Sequence, residues 1–226
     1  MFGGRLFVQD YPIETVILLA FFLLLAFPVH EFAHAWTAYR LGDSTAKLFG
    51  KLTLNPVAHF DQVGGTILVI SILVTGFPFG FAQTPVNPRN LRGRHGDAIV
   101  AAAGPLSNFL MAAIAAIPLR LLNANPGLDV AWPVMNTVVS LSGVLQLIVF
   151  LSIILGLFNL IPIPPLDGGA ILLSFLPPRT VWQVRPFLAQ YGFFLLILLI
   201  IPLSGQSILG RVLLPIADAV YGVLVG

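Results

Sequence analysis

Long apolar runs separated by short polar segments dominate the chain, and their lengths predict helices that span a membrane. A helix needs about 20 mostly apolar residues to cross the hydrocarbon core of a bilayer. The pattern therefore predicts an all-α polytopic membrane protein with about five to six transmembrane helices. The predicted spans cover residues 13–41, 98–122, 134–161 and 186–203, and residues 207–225 form either a last span or a helix at the interface.

The apolar segment 66–82 is too short for a regular span and is interrupted by Gly76, Pro78 and Gly80. Irregular backbone at membrane depth is tolerated where protein or water shields its polar groups. We therefore predict a re-entrant segment near residues 64–82. A β-hairpin is one form it could take, because its first residues, 66–70, are rich in β-branched side chains.

The distribution of basic residues predicts the orientation of the chain. Three loops carry lysine or arginine, namely those around residues 47–51, 89–94 and 179–185, whereas the loop at 123–133 has none. Basic loops favour the cytoplasmic side. A re-entrant 64–82 segment puts the three basic loops on one side, and a spanning one would break this pattern. The C-terminal end of the first helix is thus expected near the cytoplasm.

Composition agrees with a membrane protein. Of the 226 residues, 58% are hydrophobic and 9% are charged, whereas soluble domains carry about 25% charged residues. We therefore expect one membrane-embedded domain, 1–226, with the lipid bilayer as its surroundings. The net charge of +2 gives no reason to expect a nucleic-acid partner, and the absence of cysteine excludes disulfides and thiolate ligands.

The first predicted helix carries His30 and His34 with Glu31 between them, in the order His-Glu-x-x-His. Residues four apart share one face of a helix, so both imidazoles can reach one metal ion. Glu31 then lies beside the metal, where a general base for water is needed. Ionisable side chains inside a membrane segment are costly and indicate a functional site. The motif therefore predicts zinc bound within the membrane.

Asp167 is the candidate for a third ligand, because a catalytic zinc usually takes three protein ligands. It follows the prolines Pro164 and Pro165, which prevent a regular helix, and precedes Gly168 and Gly169, which allow close backbone approach. The re-entrant topology brings Asp167 to the same depth as the histidines. The alternative is that Asp167 only caps a short helix predicted at 170–176.

These motifs resemble the site-2 proteases, which are zinc-dependent intramembrane metalloproteases. The resemblance rests on the His-Glu motif with the trailing Gly42-Asp43, on the stretch from Asn159 to Gly169, and on Ala103 to Asn108. Two further stretches, Thr53 to Pro56 and Pro85 to Arg89, are similar to a compact prokaryotic branch. That branch lacks PDZ and CBS domains, and neither is expected here.

The resemblance implies a role for each matching residue. His30, His34 and Asp167 match the ligands of one zinc ion per chain, and Glu31 matches the general base. Asn159 matches an asparagine that holds the scissile carbonyl or its oxyanion. The implied activity is hydrolysis of peptide bonds in or near transmembrane segments of membrane-protein substrates, in a prokaryotic plasma membrane with the site toward the cytoplasm.

Other interpretations of these residues remain open. The chain could be a metal-binding membrane protein without protease activity or a metal transporter, although His59 and His95 lie in loops and form no path. Asn159 could serve only the backbone near Pro162, and Asn108 and Gly104 could serve helix packing alone. The sequence does not indicate an oligomeric state.

Overall fold

The computed structural model describes residues 12–59, 66, 84–134, 137–201 and 207–226, with the backbone alone at 12–23, 134 and 137. Helices dominate these residues, as predicted, and one small sheet accompanies them. The helices are α1 (Pro12–Arg40), α2 (Thr45–Leu48), α3 (Pro56–His59), α4 (Gly96–Ala124), α5 (Leu141–Asn159), α6 (Asp167–Phe175), α7 (Pro178–Ile200) and α8 (Ile208–Val225), with 3-10 turns at Pro88–Asn90 and Pro126–Leu128.

The chain divides into two compact units, Met1–Gly104 and Pro105–Gly226, so the boundary falls within α4. In the first unit, α2 and α3 each contact α1. In the second, α8 contacts both α5 and α7. The expectation of one membrane-embedded domain over 1–226 stays a prediction.

Helix α1 ends as the sequence predicts, at Gly42 and Asp43. Gly42 has a φ of +108°, a left-handed conformation that glycine adopts without steric cost. The Asp43 N–H donates to the Ala38 carbonyl and the Gly42 N–H donates to the Tyr39 carbonyl, the pair of bonds that closes a Schellman cap. The cap stops the helix and turns the chain so that Asp43 follows immediately.

The second unit has its own apolar core. Gly156 of α5 faces Phe109 of α4, and a Cβ added at Gly156 would lie 3.0 Å from the Phe109 ring. Close packing of this kind drives helix association inside membranes, where the hydrophobic effect is absent. The buried residues of this core are Ala112, Ala115, Ala116, Leu119, Val149, Phe150, Ile153, Ala217 and Val225.

A β-hairpin replaces the start of the predicted 134–161 span, so that boundary was wrong, and the fold is mostly rather than entirely helical. Strands β1 (Ala131–Val134) and β2 (Thr137–Ser140) pair antiparallel, with Trp132 opposite Val139. Three β-branched residues in β2 favour an extended chain. The Ser140 hydroxyl then accepts a hydrogen bond from the Gly143 N–H at 3.0 Å, which starts α5 at Leu141.

The predicted basic loop at 179–185 is also wrong, because these residues form the first turns of α7. Pro178 occupies the first helical position, where its fixed φ favours a helix and its missing N–H costs nothing. Pro186, which the sequence pattern suggested as the start of the span, lies inside α7 instead. Proline inside a membrane helix is tolerated when neighbouring groups satisfy the freed carbonyl.

Four helices among the described residues are long and apolar enough to cross a membrane, namely α4, α5, α7 and α8. The predicted number of five to six spans is not confirmed beyond these four. The predicted re-entrant segment near 64–82 lies outside the described residues, apart from Thr66, which is helical. The predicted half-helix near 170–176 is confirmed as α6, with an earlier start at Asp167.

We expect Leu119→Ala to destabilise the protein and Leu121→Ala on the same helix to have little effect. The Leu119 side chain is fully buried in the α4, α5 and α8 core, whereas the Leu121 side chain is 60% exposed. Removing buried methyl groups leaves a cavity and costs roughly 2–4 kcal/mol. Thermal unfolding of the two variants in detergent tests this, and equal loss of stability would contradict the assigned core.

Candidate metal centre

His30 and His34 lie on one face of α1, and their side chains are almost completely buried. The Nε2 atoms of the two rings are 3.0 Å apart, and the rings meet edge to face with centroids separated by 4.6 Å. The i, i+4 spacing therefore brings the two imidazoles together as the sequence predicted. Both rings present the same nitrogen to the space between them.

A backbone carbonyl of α4 fixes the orientation of the His34 ring. The His34 Nδ1 lies 2.7 Å from the Val100 carbonyl oxygen, and a carbonyl can only accept, so Nδ1 carries the proton. The lone pair of the neutral ring is then on Nε2, the atom that faces His30. Histidines that bind metal usually donate their other N–H in this way.

The spacing of the two Nε2 atoms suits a shared ligand. Two nitrogens about 2.05 Å from one tetrahedral zinc ion lie about 3.3 Å apart. The 3.0 Å separation is close to this distance and also to that of a hydrogen bond through a shared proton. The pair can therefore hold either a proton or a metal ion with little change in geometry.

Gly104 gives the two rings the room they occupy. A Cβ at this position would lie 2.6 Å from the His30 Nε2 and would also collide with the His34 Nε2. The sequence suggested a packing role for Gly104, and the side chains that pack against it are those of the histidine pair.

Thr84 holds the carboxylate of Glu31. The Thr84 N–H donates to the Glu31 Oε2 at 3.0 Å, and the Thr84 hydroxyl lies 2.7 Å from the same oxygen. The hydroxyl also lies 3.1 Å from the Glu31 carbonyl oxygen, but its single hydrogen serves one acceptor at a time. The Glu31 side chain is buried, so these bonds offset part of the cost of removing a carboxylate from water.

A second buried carboxylate, Asp43, lies just beyond the C-terminal end of α1. Its oxygens accept hydrogen bonds from the Thr45 N–H and hydroxyl, the Asn87 N–H and the Asn90 side-chain amide. Burial by itself raises the pKa of Asp43, but these hydrogen bonds stabilise the ionised form more, and the pKa lies below its usual 3.8. Asp43 is therefore ionised at neutral pH.

In the second unit, Asp167 occupies the first position of α6. The cap residue is Leu166, and no side chain caps this helix, so the alternative in which Asp167 caps a helix starting at Ala170 is wrong. A carboxylate in the first helical turn is favoured by the helix dipole. The glycines after it allow close packing, as predicted, because a Cβ on Gly169 would lie 2.5 Å from the Pro164 nitrogen.

The other polar candidates have structural partners. The Asn159 amide donates to the Leu155 carbonyl at 3.0 Å, one turn earlier in α5, and its role toward a substrate stays a prediction. Asn108 is fully buried. The His59 ring is buried and its Nε2 lies 2.7 Å from the Thr53 carbonyl, which confirms the expected structural role.

Neither Thr84 nor the Val100 carbonyl was predicted from the sequence as part of the site. A backbone carbonyl leaves no residue signature, and Thr84 is 53 positions from Glu31. Asp43 was noted as part of a helix stop, but its buried carboxylate was not anticipated. The sequence did contain a signal for Asp43. The chain has only nine acidic residues, and Asp43 comes just after the helix that carries the metal motif.

Comparison with known proteins identifies the family. The sequence pattern of the family described as "Peptidase family M50" matches residues 17–199, which include both histidines, Glu31 and Asp167. The chain belongs to peptidase family M50. The resemblance to the site-2 proteases is thereby confirmed, and the M50 chain is a metalloprotease with the apolar helices of a membrane protein.

Several curated proteins are similar to this M50 chain. It is 39% identical to "Putative zinc metalloprotease YwhC" of Bacillus subtilis over 204 residues, covering 88% of this chain and 87% of the relative. It is 33% identical to "Putative zinc metalloprotease Rip2" of Mycolicibacterium smegmatis, covering 79% of this chain and 64% of that relative. No solved structure matches the chain.

We expect Gly104→Ala to lower the zinc content of the purified protein several-fold, because the added methyl group displaces both imidazoles. Gly222→Ala in α8 is the matched control, since nothing lies within 4 Å of a Cβ there. Zinc per chain, measured by inductively coupled plasma mass spectrometry, tests the expectation. Full zinc occupancy in Gly104→Ala would contradict the assigned position of the rings.

Proposed function

We propose that this M50 chain is an intramembrane zinc endopeptidase that cleaves peptide bonds in or near transmembrane segments of membrane-protein substrates. The observation that carries the proposal is the buried pair of imidazoles on α1, with Nε2 atoms 3.0 Å apart and Glu31 between them in sequence. A buried cluster of this kind on an apolar helix is costly unless it binds something.

We further propose that His30, His34 and Asp167 bind one zinc ion per chain. All three occupy ligand positions of the family motifs in the sequence, and the two histidines lie together on α1. Two neutral imidazoles and a carboxylate are a ligand set that zinc accepts in hydrolytic enzymes. The hydrogen bond from His34 to the Val100 carbonyl supports the fit, because it leaves the Nε2 lone pair available.

A zinc ion bound at such a site acts as a Lewis acid and lowers the pKa of a coordinated water to about 7. Glu31 would accept a proton from the attacking water and deliver it to the leaving amine. Thr84 would hold one oxygen of that carboxylate and leave the other for the proton. Asn159 would donate a hydrogen bond to the oxyanion that develops on the scissile carbonyl.

The substrate would be a transmembrane protein whose chain is extended at the cut, because helical hydrogen bonds hide its carbonyls. Hydrolysis needs water, so a site near one membrane face is favoured over one at the midplane. The basic residues around 47–51 and 89–94 favour an orientation in which that face lies toward the cytoplasm of a prokaryotic plasma membrane.

Substitution of the general base separates proteolysis from metal binding or transport. We expect Glu31→Gln to keep its zinc and to lose cleavage of a membrane-protein substrate by at least about 100-fold, since general-base catalysis contributes about 10²–10⁴. The measurement is proteolysis in liposomes beside zinc content. Cleavage at the wild-type rate would refute the assigned base, and zinc flux in the same liposomes would favour a transporter.

The third ligand is tested separately. We expect Asp167→Ala to reduce zinc binding at least tenfold, because two imidazoles alone hold the ion more weakly than three ligands. Asp129→Ala is the control, since Asp129 is a carboxylate that accepts its hydrogen bonds from Ser142, near the start of a different helix. An unchanged zinc affinity in Asp167→Ala, measured by competition with a chromophoric chelator, would exclude this ligand.

A further inference from the structure

We propose that Asp43 is a positioning residue for Glu31, acting through the segment Thr84–Leu91. The Asp43 carboxylate accepts hydrogen bonds from the C-terminal part of this segment. Thr84, at the N-terminal end, hydrogen-bonds to the Glu31 carboxylate. The inference rests on the proposed role of Glu31 as general base. It assigns a role to a buried acid that lies outside the proposed metal ligands.

The Asp43 carboxylate joins the end of α1 to this segment. Its Oδ2 accepts the Asn87 N–H at 2.7 Å, and its Oδ1 accepts the Asn90 side-chain amide at 3.0 Å. Thr45 supplies two further donors to Oδ1, at 3.1 Å from its N–H and 2.5 Å from its hydroxyl, which hold the carboxylate in place. Charge-assisted hydrogen bonds are about twice as strong as neutral ones.

The end of α1 is shaped to receive the segment. The Arg92 N–H, one residue past the segment, donates to the Leu41 carbonyl at 2.8 Å. Gly42 has a left-handed φ, and a Cβ there would lie 3.2 Å from the Asn90 carbonyl oxygen. A side chain at this position would therefore be strained and would press against the segment.

The segment is stiff enough to transmit the position of Asn87 to Thr84. Pro85 fixes its own φ and restricts Thr84 to an extended conformation, and Pro88 restricts Asn87 in the same way. The Asn87 side chain accepts the Arg89 N–H at 3.2 Å and so starts the 3-10 turn at Pro88–Asn90. Only two residues, Pro85 and Val86, separate Asn87, which Asp43 holds, from Thr84, which holds Glu31.

The consequence for catalysis is geometric. The Thr84 N–H and hydroxyl both point at the Glu31 Oε2, so the carboxylate is fixed in one rotamer. If the segment shifts, the Glu31 backbone stays in α1, but its carboxylate loses this orientation. A displacement of about 1 Å at a reacting group can cost up to about 100-fold in rate. Zinc ligands are unaffected, because Asp43 and Thr84 do not belong to the proposed set.

The experiment is a double-mutant cycle in the full chain, with Asp43→Asn and Thr84→Val as the single variants. We expect each to lower kcat about tenfold with KM and zinc content unchanged. If Asp43 acts through Thr84, the double variant loses little more than either single variant, whereas independent effects multiply to about 100-fold. Thr84→Ser, which keeps the hydroxyl, should lose much less kcat than Thr84→Val.

Hydrogen–deuterium exchange supplies a readout that does not depend on activity. We expect Asp43→Asn to speed amide exchange in peptides covering residues 84–91, since the Asn87 N–H loses an ionised acceptor. Asn90→Ala, which removes one donor and keeps the carboxylate, is the milder variant if Asp43→Asn folds poorly. Asp129→Asn, a carboxylate bonded to Ser142 in the second unit, is the control and should leave both kcat and this exchange unchanged.

The outcomes separate the two proposals. Coupled losses of kcat with faster exchange at 84–91 support the inference. Additive losses, or a wild-type kcat in both Asp43→Asn and Asn90→Ala while Glu31→Gln is inactive, overturn the positioning role and leave the proposed function standing. Full activity in Glu31→Gln overturns the proposed function, and the exchange result then shows whether Asp43 still fastens the segment.

Discussion

A hydrogen bond of 2.7 Å joins the His34 Nδ1 to the Val100 carbonyl oxygen, and the chemistry of the site depends on it. It ties α1 to the start of α4 and sets the tautomer of His34, so that the Nε2 lone pair faces His30. Without it the ring could turn or carry its proton on the wrong nitrogen. Gly104, four residues after Val100, leaves the space that both rings fill.

The same helix carries an ordered series of buried polar groups. His30, Glu31 and His34 lie within α1, and Asp43 follows its cap. Burying each of these groups costs free energy unless a partner satisfies it. A backbone carbonyl of α4 accepts a hydrogen bond from His34. The 84–90 stretch donates hydrogen bonds to the carboxylates of Glu31 and Asp43. One constraint, satisfying polar groups away from water, therefore fixes the start of α4 and the 84–90 stretch against α1.

Much of this could be predicted from the sequence, and the rest could not for physical reasons. Helix periodicity placed His30 and His34 on one face, and Gly42 marked the end of α1 because few other residues adopt its φ. The role of the Val100 carbonyl could not be predicted, since every residue has a backbone carbonyl. The β1–β2 hairpin was missed because Val138 and Val139 suit an apolar span as well as a strand, and hydropathy alone does not separate the two.

The start of α7 was missed for a different reason. Arg179 and Arg185 were interpreted as loop residues because of their charge, yet arginine has a high helix propensity and Pro178 favours a helix start. Charge indicates the side of the membrane more directly than it indicates secondary structure. The backbone around Asp167 was easier to predict, because proline restricts the backbone and glycine allows close approach, and both are visible in the sequence.

We propose that two imidazoles and one carboxylate bind a single zinc ion, and X-ray absorption at the zinc K-edge of the purified protein distinguishes this ligand set from others. We expect one zinc per chain with four nitrogen and oxygen neighbours at about 2.0 Å, and multiple scattering from two imidazoles. Scattering from one imidazole or none, or a six-coordinate shell, would contradict it.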